Sequence, residues 1–142
     1  MPWTNHGQIE QPRYSWSAVL SATTTDPTGW TRDGVATFYQ RHGKLIRARF
    51  YFTAGASATI GSGTWRIALP VTAASHQSDQ AAGEAYYYDG GAYYAQAMIS
   101  SSAYIVFAEF DYGRLYWGSG RWAGATSGAS IHGEIFYEAA SF

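Results

Sequence analysis

Residues 50–71, FYFTAGASATIGSGTWRIALPV, restrict the fold of this chain more than any other stretch. They read as the end of one strand (Phe50-Tyr51-Phe52-Thr53), a long crossing of small residues, and a second strand over 64–69. Ala, Gly, Ser and Thr in the crossing let the backbone turn tightly and lie close against a neighbouring sheet. In Trp65-Arg66-Ile67-Ala68-Leu69, bulky apolar residues alternate with Arg66 and Ala68, the period-two pattern of a strand with one buried face. Pro70 has no N–H for a ladder and ends the strand.

The same alternation recurs along the chain. Residues 1–13 carry two prolines and no alternation, with Trp3 and Ile9 as the sizeable apolar side chains after Met1. They form an extended arm, open to two readings: a frayed terminus or a segment that orders on a partner. Residues 14–20 make a first strand and 21–31 a loop, with turn chemistry at Asp26-Pro27-Thr28-Gly29. Residues 35–40 and 45–53 form a hairpin through Arg41-His42-Gly43-Lys44. Its second strand turns Ile46, Ala48, Phe50 and Phe52 to the core, and Leu45, Arg47, Arg49 and Tyr51 outward.

After a polar loop over 71–82, strands 83–88 and 92–99 flank Asp89-Gly90-Gly91, a second hairpin signal. Five tyrosines (Tyr86, Tyr87, Tyr88, Tyr93, Tyr94) crowd this hairpin, and alternation sends Tyr87 to the face opposite Tyr86 and Tyr88. Strand 103–110, a turn at 111–113, strand 114–117 and a small-residue loop over 118–128 follow. The closing strand, 129–138, puts Ile131, Ile135 and Tyr137 on one face and His132, Glu134, Phe136 and Glu138 on the other. Eight or nine strands with Gly-rich turns and no helical period predict one all-β domain over 14–142, an antiparallel, jelly-roll-like β-sandwich behind the arm.

Composition narrows the function classes. Aromatic residues make up 18% of the chain and charged residues only 13%, against about 25% charged in an average soluble domain. Such a surface suits lasting contact with other chains. A formal net charge of −1 offers no field for nucleic acid. The apolar runs are too short for a membrane span, and the first residues lack a secretory signal, so the expectation is a soluble protein. No cysteine is present, which removes disulfides and thiolate metal sites.

The order of a Gly-rich turn, Tyr39, Gly43-Lys44-Leu45, Phe52, Gly55, Gly61-Ser62-Gly63, Trp65 and Leu69-Pro70-Val71 resembles a small β-sandwich domain of tailed bacteriophages. That domain recurs in virion surface proteins of phages infecting actinobacteria, in minor tail and fibre-like proteins. The resemblance covers about residues 29–73, with a weaker echo in the closing strand. It implies a role on the virion surface, commonly as a trimer, and transfers no catalytic residues. The chain departs from the fibre pattern in having no shaft before the sandwich.

Residues with catalytic or metal-binding potential have simpler readings. His6, His42, His76 and His132 lack ligand spacing, and a zinc-type site needs several to converge. Glu109 and Asp111 share one side of a strand end, yet an edge carboxylate and a turn cap account for both. The tyrosines could stack on sugars, but the same residues serve cores and subunit contacts.

The reading is therefore a non-enzymatic virion protein without cofactors: a capsid decoration or cementing subunit, assembled in the host cytoplasm. It would contact the major capsid protein and form a homotrimer, with no nucleic-acid or membrane partner. The alternative is a tail fibre-tip or minor tail protein that binds tail proteins and recognises host glycan. A small glycan-active enzyme is the remote third reading. Contact residues would be Trp3 and Ile9 on the arm, Arg47, Arg49 and Tyr51 on the first hairpin, and Tyr86, Tyr88 and Tyr93 on the second.

Burying Trp3 and Ile9 would contribute on the order of 3–5 kcal/mol before the ordering cost. Pro2 and Pro12 lower that cost by restricting the free arm. Deleting residues 1–13 should then leave a folded sandwich that no longer binds the virion. Particle co-sedimentation of the truncated chain checks this; undiminished binding would show the arm to be a frayed end.

Overall fold

The computed structural model describes residues 11–110 and 114–142. All the regular extended structure is antiparallel: β1 (Tyr14–Ser15), β2 (Leu20–Ala22), β3 (Trp30–Arg32), β4 (Phe38–His42), β5 (Leu45–Ala54), β6 (Trp65–Ala68), β7 (Ala81–Tyr88), β8 (Ala92–Ser100), β9 (Tyr104–Glu109), β10 (Leu115–Tyr116) and β11 (Ser130–Glu138). They run in the order β1-β4-β5-β11-β7-β8-β9-β6-β2, with β3 added to β5 and β10 to β9. The expected all-β antiparallel class is the class of the structure. Its two layers are the two halves of one curled sheet.

Curling is visible in the side chains. Phe50 of β5 and Phe107 of β9 lie four strands apart in the sheet, yet their ring centroids are 5.6 Å apart. The segment from β1 to β2 joins the sheet's two ends, since β1 pairs with β4 and β2 with β6. Along it Trp16, Ala18, Leu20 and Ala22 are buried, and Ser15, Ser17 and Val19 are exposed. Trp16 packs edge-on against Phe50 and donates from Nε1 to the carbonyl of Ala68, 3.1 Å away. One inward face is thus kept while the backbone changes partner. This corrects the single strand expected over 14–20: the ladder breaks over 16–19, where the chain passes from one edge to the other.

The loop expected over 21–31 also carries parts of β2 and β3. Its middle is the close neighbour of the small-residue crossing: Thr24 and Thr25 donate to the Ser62 carbonyl, and Thr59 to that of Thr28. A Cβ on Gly61, whose φ is +66°, would fall 2.0 Å from the Thr25 carbonyl oxygen. Only glycine fits there. In the first hairpin the ladder continues to His42 and Leu45, so the connection is Gly43-Lys44 rather than four residues. Gly43 has φ of +60°, as the first position of a two-residue primed turn demands. β4 begins at Phe38, not at residue 35, and Val35 is exposed. Asp33 accepts from the Val35 and Ala36 N–H groups and holds that segment as a turn.

Phe50, Phe52, Trp65 and Ile67 are buried as predicted, and Leu69 packs partly buried at the core's margin. Trp65 lies in a cluster of rings with Trp30, Tyr87 and Trp122 at 5.3–5.8 Å. Its indole N–H donates to the Ile60 carbonyl at 2.9 Å. Residues 11–13, assigned to the arm from sequence, lie along β4: Gln40 Nε2 donates to the Gln11 carbonyl, and Arg13 sits over the Phe38 ring. Trp3 and Ile9 lie outside the described residues.

Trp65→Ala should cost about 3–5 kcal/mol, the range for truncating a buried large aromatic. Gly83→Ala should cost at least about 1–3 kcal/mol through overpacking, because its Cβ would meet the Glu134 carbonyl oxygen at 1.9 Å. Gly120→Ala, with open space around it, should change stability little. Urea denaturation of the three variants checks the order.

Candidate contact face on the outer sheet

Alternation turns every second residue of β5, β11, β7 and β8 away from the core, and the register lines these residues into rows. Tyr51 lies opposite His132, His132 opposite Tyr86, and Tyr86 opposite Tyr94. Tyr51 and His132 stack at 5.1 Å and 12°, and His132 and Tyr86 at 5.2 Å and 24°. These spacings match the distance between strands, so the rings stand on edge, faces toward one another. Tyr94 meets Tyr86 edge-to-face at 5.0 Å.

Two residues along, Arg49, Glu134, Glu84 and Gln96 form a parallel polar row. Arg47 forms an ion pair with Glu134 and donates from Nη1 to Gln40 Oε1 at 2.8 Å, while Arg49 Nε lies 3.9 Å from the same carboxylate. Glu84 accepts from the Tyr86 hydroxyl at 2.9 Å and has no cationic partner among the described residues. Excess positive charge therefore sits on β5 and excess negative charge on β7. Between the rows runs a groove of about 420 Å³ whose lining includes the backbone of Gly133. Phe136, 59% exposed, stands at its end, beside the exposed Leu45.

Two groups here titrate away from their ordinary values. The Tyr86 hydroxyl is pushed up, first by its hydrogen bond to Glu84 and then by that carboxylate's charge. His132 is pushed down, chiefly by burial between its flanking rings and then by the Arg49 charge. Its neutral form is favoured in the folded protein.

Arg47, Arg49, Tyr51 and Tyr86 thus come together on one face. Tyr88 lies on the same side of β7, further along, and is 56% exposed. Tyr93 stands apart. It pairs with Tyr87 across the hairpin and packs against Tyr87 and Trp122, under the Arg121 guanidinium, on the opposite side from Tyr86. Sequence reasoning left His132, Glu134 and Phe136 out of the site, although it placed them on the outer face of the last strand. The missing fact was that β11 lies between β5 and β7.

Other candidates resolve differently. Glu109 is largely buried and pairs with Arg121 at 2.8 Å, while Asp111 lies outside the described residues. His42 ends β4, and His76 lies 3.3 Å from Glu138 at the C-terminal end of β11. His6 lies outside the described residues, and no cluster of three or more metal-ligating side chains occurs among those described. Comparison with family models, curated proteins and solved structures finds no match for this chain.

The depressed His132 value sets a sign for pH dependence. Below the ordinary imidazole value of about 6.5 the unfolded chain takes up a proton that the folded chain resists. Stability from this group is complete above that value and falls as pH drops toward the folded-state value. Thermal melts between pH 7.5 and 5 should show a decline that is smaller in His132→Phe. Parallel declines in both proteins would assign it to other groups.

Proposed function

We propose that this chain is a non-enzymatic virion surface protein, a capsid decoration or cementing subunit that acts by contact through the outer face of β5, β11, β7 and β8. The observation that carries this reading is the Tyr51–His132–Tyr86–Tyr94 row beside the Arg49–Glu134–Glu84 row. Aromatic rings flanked by arginine are the composition of protein contact sites. Placement on a virion rests on the resemblance of residues 29–73 and on the low charge of the chain.

The on-edge stacking favours a protein partner over a sugar. Sugars pack on ring faces, and the faces of His132 and Tyr86 are turned to their neighbours. The second reading, a fibre-tip protein recognising host glycan, draws on Tyr88 and Tyr94, residues 56% and 64% exposed on the second hairpin.

Particles lacking the protein should bind the purified chain at hundreds of copies if it decorates a capsid, and at a handful if it sits on a tail. Tyr51→Ala combined with Tyr86→Ala should weaken attachment roughly ten- to hundredfold, at about 0.5–1.5 kcal/mol for each lost aromatic pair. Its circular dichroism should stay that of the parent. Unchanged particle binding would remove this face from the contact, and saturable binding of host glycan without particle binding would favour the second reading.

A further inference from the structure

The outer face is complementary to itself, and we propose that its partner is a second copy of this chain, docked about a two-fold axis running along β11. This rests on the reading of the face as a contact surface and names its occupant: the face joins two copies, attachment to a particle is then by the paired chains, and the pairing itself does not depend on a virion. In the polar row Arg49 lies one strand to one side of Glu134 and Glu84 one strand to the other. A two-fold axis along β11, lying between two facing sheets, exchanges those sides and keeps the row. Arg49 of each copy then faces Glu84 of the partner subunit, twice per dimer.

An axis across the strands instead sets Arg49 on Arg49 and Glu84 on Glu84, which is repulsive. The charges therefore select one orientation of two. Both axes keep the strand directions aligned, the common mode of sheet-on-sheet packing, so the charges make the choice.

The groups on the axis suit it. Glu134 meets its own copy, but Arg47 and Arg49 already accompany it in each chain. Phe136, exposed in the single chain, meets Phe136 of the partner subunit. Tyr51 is brought over the partner's Tyr86, so the aromatic rows continue across the contact. Glu84, without a cation in its own chain, gains one.

Charge reversal tests this directly. Sedimentation of the wild-type chain at ~100 µM should give a dimer, a concentration at which contacts of even modest affinity are populated. Arg49→Glu alone and Glu84→Arg alone each set like charges together twice and should weaken self-association about a hundredfold or more. An equimolar mixture of the two variants restores both pairs and should recover the dimer. Phe136→Lys, at an exposed position on the axis, should also be monomeric and should not be rescued by either variant. Thermal melts confirm that the variants are folded.

A wild-type monomer or trimer overturns the proposal, as do single variants that associate like the parent or a mixture that stays monomeric. A monomer that still decorates particles would sink the two-fold contact alone. A dimer that binds no particle would sink the decoration role alone.

Discussion

The last strand of the chain is the inner strand on which the rest of the sheet depends. β11 pairs with β5 along its whole length, from Ser130 opposite Thr53 to Glu138 opposite Leu45, and with β7 from Ser130 to Ile135. It is the joint between the β1-β4-β5 side and the β7-β8-β9 side of the roll. Two glycines permit the fit. A Cβ on Gly133 would meet the Glu84 carbonyl oxygen at 2.4 Å and Phe50 Cζ at 2.7 Å, and one on Gly83 would strike the Glu134 carbonyl oxygen. Neither glycine has an unusual backbone angle, so their requirement is for space rather than for φ. Because β5 and β11 are separated by more than seventy residues, the halves join only late in sequence. Such non-local pairing slows folding, since loop-closure entropy is lost before contacts compensate it.

That ordering explains which parts of the fold were legible. Alternation assigned the inward and outward residues of β5 and β11 correctly, because each strand has one wet face and period two is a local property. The hairpin signals at Gly43 and at Asp89-Gly90-Gly91 located β4-β5 and β7-β8, although the first ladder runs two residues further than the polar residues suggested. What the sequence could not supply was neighbourhood across the chain. Nothing local says that β11 divides β5 from β7, so Arg49, Glu134 and Glu84 could not be seen as one row. The break at 16–19 was hidden for the opposite reason. Trp16, Ala18, Leu20 and Ala22 alternate without interruption while their ladder partners change.

The tyrosine-rich hairpin shows how one local pattern serves two environments. Tyr87 is fully buried, stacked at 4.2 Å on Trp122, and its hydroxyl donates to Asp89 at the hairpin's end. Burial pushes that hydroxyl's titration far up, ahead of the Asp89 charge. Tyr86, one residue away, stands in the outer row with its hydroxyl on Glu84. Each tyrosine keeps its polar end on a carboxylate and its ring against other rings, as amphipathic aromatics do. The outer row is thus an ordered surface before any partner arrives, which reduces the side-chain entropy lost on docking.

How the sheet ends decides which surface is left for association. An open β-sheet invites pairing at its edges, but here β4 is covered by β1 and β6 by β2 at the two ends of the path. The free side of β5 is filled by β4 and then β3, and that of β9 by β6 and then β10. What stays open among the described residues is a few short stretches, of which residues 92–95 of β8, beyond the end of its pairing with β9, make four, too brief for a stable added ladder. Growth by edge addition is therefore suppressed, and any contact this chain makes with another would run through side chains. The outer face of β5, β11, β7 and β8 concentrates the rings and the uncompensated charges that such a meeting uses. The closure made by residues 14–22 thus does more than stabilise the roll: by occupying both edges it leaves the faces as the surface on which the proposed contact would form.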